Sequence, residues 1–165
     1  MNAIVAVDKN WAIGRENDLL FSIPTDMKRF RTLTSGGTVL MGRKTLETFP
    51  GGKPLPNRVN VVLSRNPDFV REGVLVVSNY EEALAAVADV EPDQVWLIGG
   101  GSIYAALLSR CKRVYLTVVD AEAEGADTFF PNLEELPEWE LESVGETIEE
   151  NGLTYRFMEY VNTKL

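Results

Sequence analysis

The stretch Gln94-Val95-Trp96-Leu97-Ile98-Gly99-Gly100-Gly101-Ser102-Ile103-Tyr104 decides the fold. An apolar run of strand length passes straight through three glycines into a helical segment reaching about Ser109. A strand feeding a helix through a tight turn is the building unit of α/β proteins. The same unit is a candidate phosphate cradle. Glycines let the backbone approach a diphosphate closely, and free N–H groups at the helix start point at the anion. It is not the dinucleotide fingerprint, because Gly99-x-Gly101 is followed by Tyr104 where the third glycine belongs. A plain tight turn explains the local sequence as well.

Upstream, Asn2 to Asp8 reads as a buried strand, and Lys9 to Ile23, with no sustained period, as a long loop. Pro24 opens a helix through about Thr34, with Asp26 and Phe30 on one face. Thr38 to Met41 is a short strand followed by a helical turn from Arg43 to Thr48, and Pro50 to Pro56 is a turn-rich loop. Val59 to Leu63 and Val74 to Val77 are strands, and Tyr80 to Ala88 is an Ala-rich helix. Downstream, Arg113 to Val119 is β-rich. Trp139 to Val144 and Leu153 to Val161 alternate like an antiparallel pair joined by a turn containing Asn151-Gly152. The expectation is one α/β domain over residues 1–165. Its central sheet is mostly parallel, with an antiparallel C-terminal edge hairpin and helices on both faces.

Composition narrows the chemistry. The 165 residues, 45% hydrophobic and 25% charged, are ordinary for a globular domain. Met1 to Asp8 lacks the basic and apolar regions of a signal peptide, and no apolar run approaches the ~18 residues of a membrane span. The single Cys111 fits a reducing cytoplasm. The absence of histidine removes the usual Ser-His-Asp triads, Cys-His dyads and zinc sites. Net charge is −9, yet residues 28 to 71 hold nine lysines and arginines against Glu47 and Asp68. The remainder holds seven bases against 23 acids. Such asymmetry suggests an anion site on a body that repels nucleic acid and anionic membranes.

Without histidine, proton transfer near neutral pH falls first to a desolvated carboxylate. Asp26 is the candidate, at the start of a helix among Phe21, Met27 and Phe30. Asp in a first turn also complements the helix dipole, so position alone does not assign chemistry. Gly37 to Thr45 nearly spells a P-loop, but one residue too many separates Gly42 from Lys44 and the intervening residues read as a strand. Gly42-Arg43-Lys44-Thr45 still places two cations and a hydroxyl at a strand-to-helix turn, and Leu63-Ser64-Arg65 repeats the theme. Two strand ends of this kind suggest one ligand with several phosphates across the C-terminal edge of a sheet. Arg58 could pair with a carboxylate.

Together these residues resemble dihydrofolate reductase, the small bacterial chromosomal type, over nearly the whole chain. The motifs are Ala12-Ile13-Gly14, Ile23-Pro24-x-Asp26, Val39 to Thr45, Pro54-Leu55-Pro56-Asn57-Arg58, Leu63-Ser64-Arg65, Ile98 to Tyr104, and Tyr115-Leu116-Thr117 with Asp120-Ala121-Glu122. The resemblance implies NADPH-dependent reduction of 7,8-dihydrofolate by a cytoplasmic monomer with no nucleic-acid or membrane partner. It makes Asp26 the catalytic group, holding the pterin amino group and N3 and assisting protonation of N5. Thr117 would support that network. Val5, Ala6, Met27, Phe30, Phe49 and Leu55 would wall the pocket, and Arg58 with Arg31 would take the glutamate tail. Arg43, Ser64 and Arg65 would face the adenosine 2′-phosphate, while Lys44, Thr45 and the turn Gly100-Gly101-Ser102-Ile103 would hold the diphosphate. Ala6, Ile13, Gly14, Leu19, Gly42, Leu63, Ile98 and Tyr104 complete the implied cofactor contacts. The Gly99–Gly100 peptide would be cis, and residues 14 to 23 would form the mobile loop over the nicotinamide. Departures are Phe21 for the usual Trp, Leu20 for a Pro, and Lys44 for a common histidine. Two rivals are the related pyrimidine ribose phosphate reductase of flavin synthesis and a non-catalytic nucleotide-binding module. Neither needs Asp26, Thr117 and Arg58 together.

Overall fold

Asn2–Val7 (β1) lies in the middle of a mixed sheet, paired in parallel on both sides. The structure, a computed structural model, describes residues 1–16 and 18–165. After β1 come two short strands, Ala12–Arg15 (β2) and Asp18–Leu19 (β3), and the helix Pro24–Thr34 (α1). Thr38–Gly42 (β4) runs into the short helix Arg43–Glu47 (α2). Val59–Leu63 (β5) and Val74–Val77 (β6) precede the helix Tyr80–Ala86 (α3). Val95–Gly99 (β7) enters the helix Gly101–Leu107 (α4), which a 3-10 turn, Leu108–Arg110, extends. Arg113–Val119 (β8), Thr128–Phe129 (β9), Trp139–Val144 (β10), Ile148–Glu150 (β11) and Leu153–Asn162 (β12) complete the chain.

The main sheet runs β10-β12-β8-β1-β7-β4-β5-β6, with β11 beside β12. Every pair from β8 to β6 is parallel, and β12 is antiparallel to β8, β10 and β11. Consecutive residues of one strand serve opposite cores. Val39, Met41, Val62 and Trp96 pack with Ile4, with Phe30 and Leu33 of α1 and with Leu46 of α2. Leu40, Val61 and Leu97 pack on the other face with Ala83 of α3 and with Ile103 and Leu107 of α4. Burial on both faces is why these strands read as unbroken apolar runs, and why parallel pairing with helical crossovers suits them.

Three expectations need correction. Lys9 to Ile23 is not wholly loop, because β2 pairs with β3 and with β9 in a small antiparallel sheet. Strands of two to four residues are too short to show a period, and β9 lies far along the chain. The Asn151-Gly152 turn joins β11 to β12, not β10 to β12. Asn151 (φ 52°) and Gly152 (φ 80°) both occupy the left-handed region. A two-residue turn of that kind needs paired strands immediately on either side. The helices expected over Tyr80 to Ala88 and Ser102 to Ser109 each end two residues early as α-helix.

Where β1 ends, the Asp8 carboxylate accepts backbone N–H bonds from Asn10 (2.8 Å), Ala12 (2.9 Å) and Ala123 (2.9 Å). It is 2% exposed and ties the segment after β1 to the segment after β8. Asp8→Ala leaves these donors unpaired and should lower stability by about 2–4 kcal/mol in urea titration. Lys9→Ala, which removes an exposed ion pair with Asp120, should change little. A loss no larger for Asp8 than for Lys9 would show that the carboxylate ties nothing down.

Candidate active site

Parallel pairing brings the C-terminal ends of several strands to one edge. Ala6 of β1 lies opposite Thr117 of β8, Met41 of β4 opposite Gly99 of β7, and Gly42 opposite Leu63 of β5. Open α/β sheets bind ligands along such an edge.

At one end of it stands Asp26. Pro24 supplies the first residue of α1, where its missing N–H costs no helical bond, and Asp26 follows in the first turn. The Thr117 hydroxyl donates to Asp26 Oδ1 at 2.6 Å. Thr117 itself is 2% exposed. Burial pushes the Asp26 carboxyl above the usual carboxylate range, while the Thr117 hydroxyl and the Arg29 guanidinium pull it part of the way back. Arg29 sits 4.2 Å from the Phe157 ring centroid and 5.8 Å from that of Tyr115. Those rings hold a permanent cation one helical turn beyond the acid.

In β1, Val5 and Ala6 are only half-buried although their neighbours are buried, and Ala6 lies opposite the Thr117 that holds Asp26. Phe30, Phe49 and Leu55 are likewise half-buried. Met27 is 59% exposed and shields Asp26 little, so the desolvation expected from it comes from elsewhere. Leu55 is held by the buried Asn60, whose side-chain amide both accepts from Leu55 N–H and donates to Leu55 O, each at 2.9 Å. Asn60 also donates to Arg58 O at 3.1 Å, which fixes the turn before β5.

Arg58 donates through Nε to Pro56 O (2.9 Å) and through a terminal nitrogen to Thr34 Oγ1 (3.1 Å). Burial, and then the neighbouring Arg31, lowers its pKa. Two guanidiniums near one another, neither in an ion pair among the described residues, make a site suited to a carboxylate.

The other end of the edge carries the glycine turn and the cations that follow β4 and β5. The Gly99–Gly100 peptide is cis, and Gly99 has φ 136°. A Cβ on Gly101 would stand 2.6 Å from Thr128 Cγ2, so any other residue there would displace the Thr128 side chain. Gly100 precedes α4 with no side-chain cap. Ile103 and Tyr104 are buried, so their side chains belong to the core, and Tyr104 donates its hydroxyl to Ile4 O at 2.7 Å. Thr45 Oγ1 lies beside the glycine turn. A cleft of about 500 Å³ is lined by Glu16, Asp18, Arg43, Lys44, Glu47 and Thr48. Arg43 is 3.5 Å from Glu47, Ser64 is buried at the end of β5, and Arg65 is exposed.

Ile13 and Gly14 are buried in β2, and Leu19 is 72% exposed. Asp127 accepts from Glu16 N–H (2.9 Å) and donates its own N–H to Gly14 O (3.0 Å), joining this segment to the stretch before β9. Within the loop expected over residues 14 to 23, Asn17 lies outside the described residues. Sequence reasoning missed Arg29, Asn60 and Asp127. Only Asn60 left a signal, as a lone polar residue inside Val59-Asn60-Val61-Val62-Leu63.

Comparison with known proteins gives a consistent result. The family model described as Dihydrofolate reductase matches residues 1–162. The chain is 43% identical over 142 residues to dihydrofolate reductase type 3 of Salmonella typhimurium, covering 86% of this chain and 85% of that one. It is 38% identical over 159 residues to dihydrofolate reductase of Bacillus subtilis, covering 95% and 91%. A solved structure of the Enterococcus faecalis dihydrofolate reductase, complexed with NADP(H) and RAB-propyl, superposes with a TM-score of 0.86 at 35% identity. It covers 98% of this chain and 95% of that one.

A carboxyl whose folded pKa is raised binds more protons folded than unfolded between its ordinary and its folded pKa. Its contribution to stability is therefore fullest at acid pH and is lost as pH rises through the folded pKa. Asp26→Asn removes that loss while keeping an oxygen for Thr117. The variant should be more stable than the parent at pH 7, with the gain vanishing as pH falls to the ordinary carboxylate range. Urea midpoints at the two pH values test this, and an equal or lower midpoint at pH 7 contradicts it.

Proposed function

Since the chain belongs to the dihydrofolate reductase family, we propose that the Asp26 cleft and the Gly99–Gly101 turn are two halves of one active site. The reaction is the NADPH-dependent reduction of 7,8-dihydrofolate to 5,6,7,8-tetrahydrofolate. The observation that carries the reading is the Asp26–Thr117 pair, a partly buried carboxylate of raised pKa in a chain without histidine.

The residues present fit the cofactor. At Gly100 the direction a Cβ would take meets only the Thr45 hydroxyl, at 3.6 Å, so the bare backbone there can be approached closely, and the three cations Arg43, Lys44 and Arg65 follow two neighbouring strand ends. In this reading Arg43, Ser64 and Arg65 hold the 2′-phosphate. Lys44, Thr45 and the backbone of Gly100 to Ile103 hold the diphosphate. Gly42 and Leu63 support those strand ends, Ala6, Ile13, Gly14, Leu19 and Ile98 lie toward the nicotinamide, and Tyr104 braces the glycine turn from the core through its N–H to Gly100 O. When bound, NADPH supplies the hydride.

Asp26 holds the amino group and N3 of the pterin, and Thr117 fixes its orientation. Because burial favours its protonated form, Asp26 can carry a proton nearer neutrality than an ordinary carboxylic acid and assist its delivery to N5. Val5, Ala6, Met27, Phe30, Phe49 and Leu55 exclude water from the ring, and Arg58 with Arg31 binds the tail carboxylate. Burial pushes the Cys111 thiol up to about 12, which leaves it out of the chemistry. The chain acts as a monomer in the cytoplasm, and its single, buried, unpaired thiol fits that reducing compartment.

Mixing the protein with NADPH and dihydrofolate should bleach the nicotinamide absorbance, and an unchanged spectrum would overturn the assignment. Asp26→Asn should slow single-turnover hydride transfer about 100-fold or more at pH 7 while leaving NADPH binding intact. The deficit should shrink as pH falls and solution supplies the proton. Wild-type rates at pH 7 in the folded variant would reduce Asp26 to a helix-dipole residue. Replacing Arg43 and Arg65 together by Ala should weaken NADPH about tenfold or more and NADH little, since charge-assisted contacts to the 2′-phosphate are lost. Equal weakening of both cofactors would refute that placement.

A further inference from the structure

Helix α1, which carries Asp26, begins without a cap of its own. Its N-cap residue is Ile23, which has no side-chain acceptor, so the first-turn N–H groups need partners from elsewhere. One comes from the far end of the chain. Glu150 Oε2 accepts the Thr25 hydroxyl at 2.7 Å, and Oε1 accepts the Thr25 backbone N–H at 3.3 Å. The Tyr155 hydroxyl donates to the same Oε1 at 3.3 Å.

The hairpin fixes where that carboxylate stands. Glu150 is the last residue of β11, opposite Leu153 across the Asn151-Gly152 turn, and both turn residues have positive φ. Tyr155 lies two residues beyond Leu153 on the same face of β12 and is fully buried. The hairpin thus rests on the core at Tyr155 and reaches the helix at Thr25, the residue before Asp26. A carboxylate there also complements the positive end of the helix dipole. The Thr25 hydroxyl holds Glu150 below the usual carboxylate range, so this acceptor stays charged where the enzyme works.

We propose that Glu150 is a positioning residue for Asp26, latching the first turn of α1 onto the β11–β12 hairpin and thereby setting how deeply the Asp26 carboxylate is buried against Thr117. The inference rests on the reading of Asp26 as the proton-handling group. The charged and titratable groups facing that carboxylate are Arg29 from α1 and Tyr155 from β12; Glu150 stands behind Tyr155, and Tyr115 and Glu159 face Arg29. Among the influences on Asp26, burial outweighs the Thr117 bond. Loosening the latch therefore admits water and moves the carboxyl toward its ordinary value.

The test uses the full chain with ¹³C-labelled aspartate, free of substrate and cofactor, and follows the Asp26 carboxyl resonance with pH. Thr25→Val and Glu150→Ala should each lower its titration midpoint by about 0.5 pH. Each should slow single-turnover hydride transfer at pH 7 about fivefold with NADPH affinity unchanged, as a small displacement of a reacting group does. Glu150→Gln, which keeps one acceptor oxygen, should fall between Glu150→Ala and the parent. The double variant should be no worse than Glu150→Ala, because that change already removes the hydroxyl contact that Thr25→Val breaks. Should Glu150→Ala fail to fold, the nearly isosteric Thr25→Val carries the test. A parental midpoint in the folded variants, or additive losses in the double variant, would overturn the latch. The midpoint is read without turnover. A moved midpoint beside a fully active Asp26→Asn would thus sink the catalytic reading alone, and an unmoved midpoint would sink the latch alone.

Discussion

Parallel pairing of β1 between β7 and β8 is the constraint from which the rest follows. Parallel strands end on the same side, so each link between them must cross the sheet and begin again at the far edge. One edge therefore collects every segment that follows one of these parallel strands. Asp26 precedes β4 on such a crossover, Arg43 follows β4, Ser64 follows β5, and the glycine turn follows β7. The site is assembled from residues remote in sequence because the topology leaves them no other edge to share.

The same edge divides by charge. The basic stretch from Lys28 to Arg71 supplies Arg43, Lys44 and Arg65 toward the glycine turn and Arg31 with Arg58 at the opposite end. Between them sits a carboxylate that burial inclines to keep its proton. An acidic body carrying a basic rim attracts anions to one place. The chain bears a cost for this arrangement, since a buried acid is a poor contributor to stability once it ionises. Burial and charge are opposed at Asp26, and the Thr117 hydroxyl and the Arg29 guanidinium moderate the conflict.

Much of the fold is legible in the residues. Apolar runs buried on both faces announce parallel strands, Pro24 marks the start of α1, and the run Val95 to Tyr104 announces a strand–turn–helix unit. What escaped was short or remote. Strands β3 and β9 have two residues each, which carry no period. The Asn151-Gly152 turn was visible, but its partner strand β11 was too brief to separate from the preceding acidic stretch.

The sequence by itself determined which chemistry was open: no histidine, one cysteine, a carboxylate at a helix start, and cations after two strand ends. Local order and residue type suffice for that, because helix periods, glycine turns and charge are properties of neighbouring residues. Only the tertiary structure decided how Asp26 behaves. Thr117 at 2.6 Å, Arg29 stacked on Phe157, and Glu150 reaching Thr25 all join residues from opposite parts of the chain. Such pairs depend on strand register, where a slip of one residue turns every side chain to the other face. No pattern within α1 could reveal them.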